Sequence, residues 1–249
     1  SCGAASAIAT HLMIKINKGG IPLVIHNNYL KQEHEDNQRF KVDCEKLFGQ
    51  PIVTLKSKPY DGDIIAVYRK ERYIKNRHGA VCTRLLKRDT RNTFLEYGDV
   101  VVLGYTSEEQ DRFDKFIDAN PELNARAPLI ELGLTKADCL AMIEKSGIAL
   151  PIMYLLGFKN NNCIGCCKGG KGYWNHVRKL FPDQFEEMCK VQDELGPGSY
   201  FWQGLRPGQP RISLRLLPPN AGDMQKEPDI SCGAMCEMLD PGGDLLESL

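Results

Sequence analysis

Residues 4–17, AASAIATHLMIKIN, carry apolar side chains at helical spacing and end at Lys18-Gly19-Gly20, a sequence that stops a helix. The run IPLVIH (21–26) is continuously apolar, as in a strand buried on both faces. In DNQRFKVDCEKLFG (36–49) the helical period returns roughly through Phe40, Val42, Cys44, Leu47 and Phe48 and closes on a glycine. PIVTLKS (51–57) reads as the next strand, and a helical stretch follows around residues 63–75. RHGAVCTRLLKRDTR then reads as a loop entering another helix. DVVVLGYT (99–106) is the clearest strand pattern, and SEEQDRFDKFID after it has the acidic first turn that suits a helix N-terminus. Strand and helix thus alternate, which predicts an α/β fold: a parallel sheet with helices on both faces. Ligands of such sheets bind outside the carboxyl ends of the strands. The polar segments His26-Asn27-Asn28 and Gly104-Tyr105-Thr106 stand at those places.

The second half changes character. LTKADCLAMIEKSG (134–147) predicts a helix capped by Thr135, and Pro151 starts a new segment. KGYWNHVRKLFPDQFEEMCKVQDELG predicts two helices split at Pro182. Beyond Gly196 glycine and proline are frequent, and RISLRLL (211–217) reads as a short strand. The pattern therefore divides into an α/β core over residues 1–132 and a cysteine-rich helical and loop extension over 133–249. A short first strand is expected upstream of residue 1. Lys+Arg and Asp+Glu are both 32, so net charge does not call for a nucleic-acid backbone as partner. With no apolar run of membrane-spanning length and no signal-peptide pattern, the chain reads as cytoplasmic.

Ten cysteines is a high count for that compartment. Cys163 and Cys166 form a CxxC around Gly165, and Cys232 and Cys236 form a CxxxC near the end of the chain. Thiolate sets of this kind suit zinc or an iron–sulfur cluster. Cys167 reads as a spare beside the CxxC, while Cys44, Cys139 and Cys189 read as small buried residues on helix faces. At the other end of the chain, Gly3 between Cys2 and Ala4 lets backbone N–H groups approach an anion at a helix N-terminus. Ser1 and Ser6 add hydroxyl donors. The competing reading is a small-residue helix start packed on a sheet. Arg84 and Lys87, three apart in CTRLLKR, would share a helix face directed at a phosphate or sulfate, or else form a solvated face.

Together these segments resemble the phosphoadenosine phosphosulfate (PAPS) reductase family, within the PP-loop (adenine nucleotide alpha-hydrolase-like) enzymes. SCGAAS stands where that group has its SGGxDS pyrophosphate loop, CTRLLK is similar to its cysteine–basic motif, and GYTSEEQDR matches the stretch after its fourth strand. The span from PLIELGLTKADC through PIMYLLG to NNCIGC is the most specific match, and EPDISCG resembles the tail whose cysteine is the reductases' nucleophile. SCGAAS and EPDISCG together resemble an often phage-encoded subgroup.

The resemblance implies a Rossmann-like core, a 4Fe–4S cluster, and an adenine nucleotide (ATP, or PAPS or its unphosphorylated analogue APS). Ser1, Cys2, Gly3, Ala4, Ala5, Ser6, His26, Asn27, Gly104 and Tyr105 would hold the nucleotide, with Arg84 and Lys87 on its distal phosphate or sulfate. Four of Cys82, Cys163, Cys166, Cys232 and Cys236 would hold the cluster. Thr83 stands where cluster-bearing reductases have a second cysteine beside Cys82, so the resemblance leaves one ligand to be supplied by Cys232 or Cys236. Cys232, where it is not a ligand, would be the nucleophile. Ala5 replaces the aspartate of ATP-splitting members, which leaves ATP cleavage and a role for Mg²⁺ open. The expected activity is reductive sulfur chemistry with a thiol reductant protein as partner. The alternatives are ATP-dependent sulfur insertion into a nucleobase or nucleic-acid acceptor, and a non-catalytic nucleotide-binding protein with a structural cluster. A homo-oligomer is compatible with each.

Overall fold

The computed structural model describes residues 2–18, 20–76, 79–202 and 211–230. In chain order the elements are α1 (Ala4–Asn17), β1 (His26–Asn28), α2 (Asp36–Phe48), β2 (Val53–Leu55), α3 (Ile64–Glu71), β3 (Lys75–Asn76) and β4 (Gly79–Ala80). Next come α4 (Val81–Thr83), a π-helical turn (Arg84–Arg88), α5 (Asp89–Asn92), β5 (Val100–Val102), α6 (Gln110–Ala119) and β6 (Asn124–Arg126). The remaining helices are α7 (Pro128–Glu131), α8 (Lys136–Lys145), α9 (Ile152–Leu155), α10 (Lys171–Leu180) and α11 (Pro182–Leu195). The fold is mixed α/β. Its ladders among the described residues are three two-stranded sheets: β1–β2 and β5–β6 parallel, β3–β4 antiparallel.

The chain forms two compact units, and the division is interleaved. The first comprises residues 1–29, 33–56 and 90–162; the second comprises 30–32, 57–89 and 163–249. Residues 133–162, including α8, thus belong to the same unit as α1 and the parallel ladders.

In the first unit the small side chains Ala4 and Ala7 of α1, with Ile8, meet Phe40, Cys44 and Phe48 of α2. Cys139 and Ile143 of α8 and Leu129 of α7 complete this core. Local signals set the helix ends. Gly49 closes α2 with φ +69°, and Thr135 and Asp138 form a reciprocal capping box at the start of α8. The parallel pairing runs from His26 opposite Val53 to Asn28 opposite Leu55, and from Val100 opposite Asn124 to Val102 opposite Arg126.

Two strand expectations are corrected. IPLVIH is not a strand buried on both faces: Ile21 is 69% and Val24 55% exposed, and the ladder begins where the apolar run ends. Pairing reaches back only as far as the Ile25 carbonyl, which accepts from the Val53 N–H at 2.8 Å. RISLRLL forms a single bridge, Ile212 with Trp202, and then a 3₁₀ turn, Leu214–Leu216. There the buried Gln192 carboxamide accepts from the Leu214 N–H at 2.6 Å, taking the place of a strand partner.

The second unit is organised by α10 and α11, with Pro182 at the first turn of α11, where its missing N–H costs nothing. Trp174 of α10 is fully buried, stacked on Phe201 and edge-on to Tyr173 and Phe185. Far along the sequence, Glu227 accepts from the Gly170 and Gly172 N–H groups at 2.9 and 2.8 Å, placing a carboxylate at the N-terminus of α10.

Candidate functional site

The opening loop lies in the first unit. Its Cys2 carbonyl accepts a hydrogen bond from Asn161 Nδ2 at 2.7 Å, and the same amide donates to Asn37 Oδ1 at 2.7 Å. The Ala4 N–H donates to the Tyr154 hydroxyl at 3.4 Å. Asn161 and Tyr154, neither of which the sequence marked as functional, therefore fix where α1 begins. Gly3 stands at the N-cap in extended conformation and supplies no side-chain cap, so the first-turn amides of Ala5 and Ser6 have no capping side chain from it.

Gly104 lies just beyond β5 and is pressed against this turn. A Cβ at Gly104 would sit 2.9 Å from both Cα and N of Ser6, so only glycine lets the strand end come this close. Tyr105 is buried, flanked by Phe113 and Phe116, with the Arg112 guanidinium 5.3 Å from its ring centre. Ile25 packs in the same core as Cys2 and Ala4, which brings in the start of β1. His26 and Asn27 form that strand rather than follow it. The buried atoms His26 Nδ1 and Asn27 Oδ1 meet no hydrogen-bond partner among the described residues. Burial, with the Arg91 charge adding, pulls the His26 pKa down to about 4, so the ring is neutral near pH 7. A buried unpaired amide oxygen and imidazole nitrogen are costly unless a ligand or water meets them. Ser1 lies outside the described residues.

The second unit holds Cys82 and the CxxC cysteines. Cys82, Cys163, Cys166 and Cys167 line one cavity with Leu30, Ile64, Tyr68 and Lys87. Gly165 makes the CxxC turn in the left-handed region at φ +77°, against the ring edge of Trp174. Tyr173 clamps the turn from below, accepting from the Cys166 N–H at 2.9 Å and donating to the Cys163 carbonyl at 3.1 Å. Tyr68 is fully buried and donates to Cys82 Sγ at 3.4 Å. Cys167 is in hydrogen-bonding contact with the thiols of Cys166 and Cys82; these contacts and burial push its pKa well up. Burial likewise raises the pKa values of Tyr68 and Tyr173, so both hydroxyls keep their protons.

The sequence-predicted pair Arg84 and Lys87 is split. Both lie on the π-helical turn, where residues three apart no longer share the face they would in an α-helix. Arg84 donates to the Tyr73 hydroxyl at 3.2 Å, while Lys87 reaches the cysteine cavity. Cys44, Cys139 and Cys189 are buried on helix faces, and burial raises their pKa values to about 12, 12 and 11. Cys232 and Cys236 lie outside the described residues.

Among the described residues, no group of three or more His, Cys, Asp and Glu side chains is arranged to hold a single metal ion. A four-iron cluster asks something different: one thiolate for each of four irons, set around a shared space. Four cysteines on one cavity wall fit that requirement in kind and number. Leu30 and Ile64 make part of the wall apolar, and Lys87 places a positive charge beside the thiols. Comparison with known protein families, curated proteins and solved structures returns no match.

Proposed function

We propose that this chain is an iron–sulfur enzyme of the sulfonucleotide-reductase type, built on a Rossmann-like PP-loop core. The carrying observation is the cavity on which Cys82 meets Cys163, Cys166 and Cys167 from a distant part of the sequence. The nucleotide half of the reading is supported by the first turn of α1 and the glycine that seats it against β5. The unpartnered polar atoms of His26 and Asn27 support it as well. In this reading the Ala5 and Ser6 amides bind phosphate, and the neutral His26 and Asn27 hydrogen-bond the nucleoside.

The cavity cysteines would hold a 4Fe–4S cluster, which would supply electrostatic support, while the electrons of the reduction come from thiols. The Cys232 thiolate attacks the sulfur of the sulfonucleotide. An S–S bond forms, the S–O bond to the nucleotide phosphate breaks, and the nucleoside phosphate leaves with the electron pair. A thiol reductant then attacks the Cys232 sulfur, releasing sulfite and leaving a disulfide that a second reductant thiol reduces.

Anaerobic purification tests the reading directly. It predicts a brown protein with iron and acid-labile sulfide, sulfite release from APS or PAPS with a thiol reductant, and loss of that release in Cys232→Ser. A colourless protein that binds nucleotide and returns it unchanged would exclude the activity.

A further inference from the structure

We propose that Cys167 is the fourth cluster ligand, so that the complete set is Cys82, Cys163, Cys166 and Cys167 and the tail cysteines are not used. The inference rests on the cluster reading above and differs from the resemblance, which left that ligand to Cys232 or Cys236. Cys167 is 1% exposed and lines the same cavity as the other three. Its thiol is in hydrogen-bonding contact with those of Cys82 and Cys166, so it joins the two sequence segments that bring the donors. Tyr68 hydrogen-bonds both Cys82 and Cys167, treating them as one group.

The residue next to Cys82, Thr83, is buried but carries no thiol, so the α4 side contributes a single donor. The CxxC loop makes up the number by running on to a third cysteine. A four-iron cluster needs four thiolates and the cavity supplies four. Cys232 then stays available as a nucleophile, and Cys236 is left for a second thiol role.

The experiment compares anaerobically purified wild type, Cys167→Ser, the double variant Cys232→Ser/Cys236→Ser, and Cys189→Ser as a buried-thiol control. Iron, sulfide and the electron paramagnetic resonance of the oxidised and dithionite-reduced proteins are measured. Wild type, the tail variant and the control should each carry about four irons per chain with one common spectrum. Cys167→Ser should carry three or fewer, with a changed signal. Full loading of Cys167→Ser, together with loss in the tail variant, would overturn the assignment.

Iron-free wild type would instead overturn the cluster reading itself. Should Cys167→Ser fail to fold, the loaded wild type is alkylated under native conditions and the modified cysteines are mapped. Modification of Cys232 and Cys236 with iron retained supports the inference; iron lost in step with their modification sinks it.

Discussion

His26 shows how one buried side chain makes folding depend on pH. Its ring is neutral in the fold because burial lowers its pKa from 6.5 to about 4. Between these values the unfolded chain binds the proton that the folded chain refuses, so stability falls as pH drops from 6.5 towards 4 and levels off below. The urea midpoint of wild type should therefore fall relative to that of His26→Gln across this window and run parallel to it above pH 7. A constant difference throughout would refute the neutral buried ring.

Asn161 acts at the same scale by holding the Cys2 carbonyl. Asn161→Ala removes two buried hydrogen bonds and should cost about 1–3 kcal/mol in denaturant unfolding. Under the proposed function it should also weaken adenine-nucleotide binding, because the start of α1 loses its anchor. Tyr68→Phe deletes the hydrogen bond to Cys82 Sγ at 3.4 Å. Hydrogen bonds to cluster sulfurs raise the reduction potential, so under the proposed cluster assignment the variant should titrate at a more negative potential than wild type.

At the level of elements, Gly104 gives the sharpest test. Gly104→Ala puts a methyl group 2.9 Å from the Ser6 backbone, which cannot swing aside as a side chain would. The strain should cost about 1–3 kcal/mol and displace the first turn of α1, lowering nucleotide affinity along with stability.

The helices were legible because their signals are local: α1, α2, α8, α10 and α11 are delimited by periodicity, capping residues, glycine or Pro182. Strands depend on partners that the sequence does not display. IPLVIH is apolar yet largely unpaired, while β6, Asn124-Ala125-Arg126, pairs with β5 and carries no apolar pattern at all. The cavity was legible in Cys163 and Cys166, whose spacing is local. Cys167 was not, since only the fold shows that adjacent cysteines reach one cavity. The divergence of Arg84 from Lys87 was equally hidden, because the π-helical turn breaks the spacing rule that paired them.

For the molecule as a whole, both tryptophans, Trp174 and Trp202, belong to the second unit. Intrinsic tryptophan fluorescence is thus a selective report on the unit that carries the cysteine cavity. If the unit carries the proposed cluster, a chelator should lower the urea midpoint seen by fluorescence, because a ligand bound only to the folded state stabilises it by mass action. A midpoint unchanged by chelation would count against any metal group tied to this unit.

The interleaving of the units has a further consequence. Residues 30–32 of the second unit are enclosed between two segments of the first, and residues 57–89 between two more. No single peptide bond can be cut to leave both units with all of their segments. A fragment of residues 163–249 would carry the CxxC but neither Cys82 nor Tyr68, and a fragment ending at 162 would carry the reverse. The cavity is therefore not a portable cassette: it can pass to another protein only with nearly the whole chain, and gene fusions are restricted to the ends or to exposed loops.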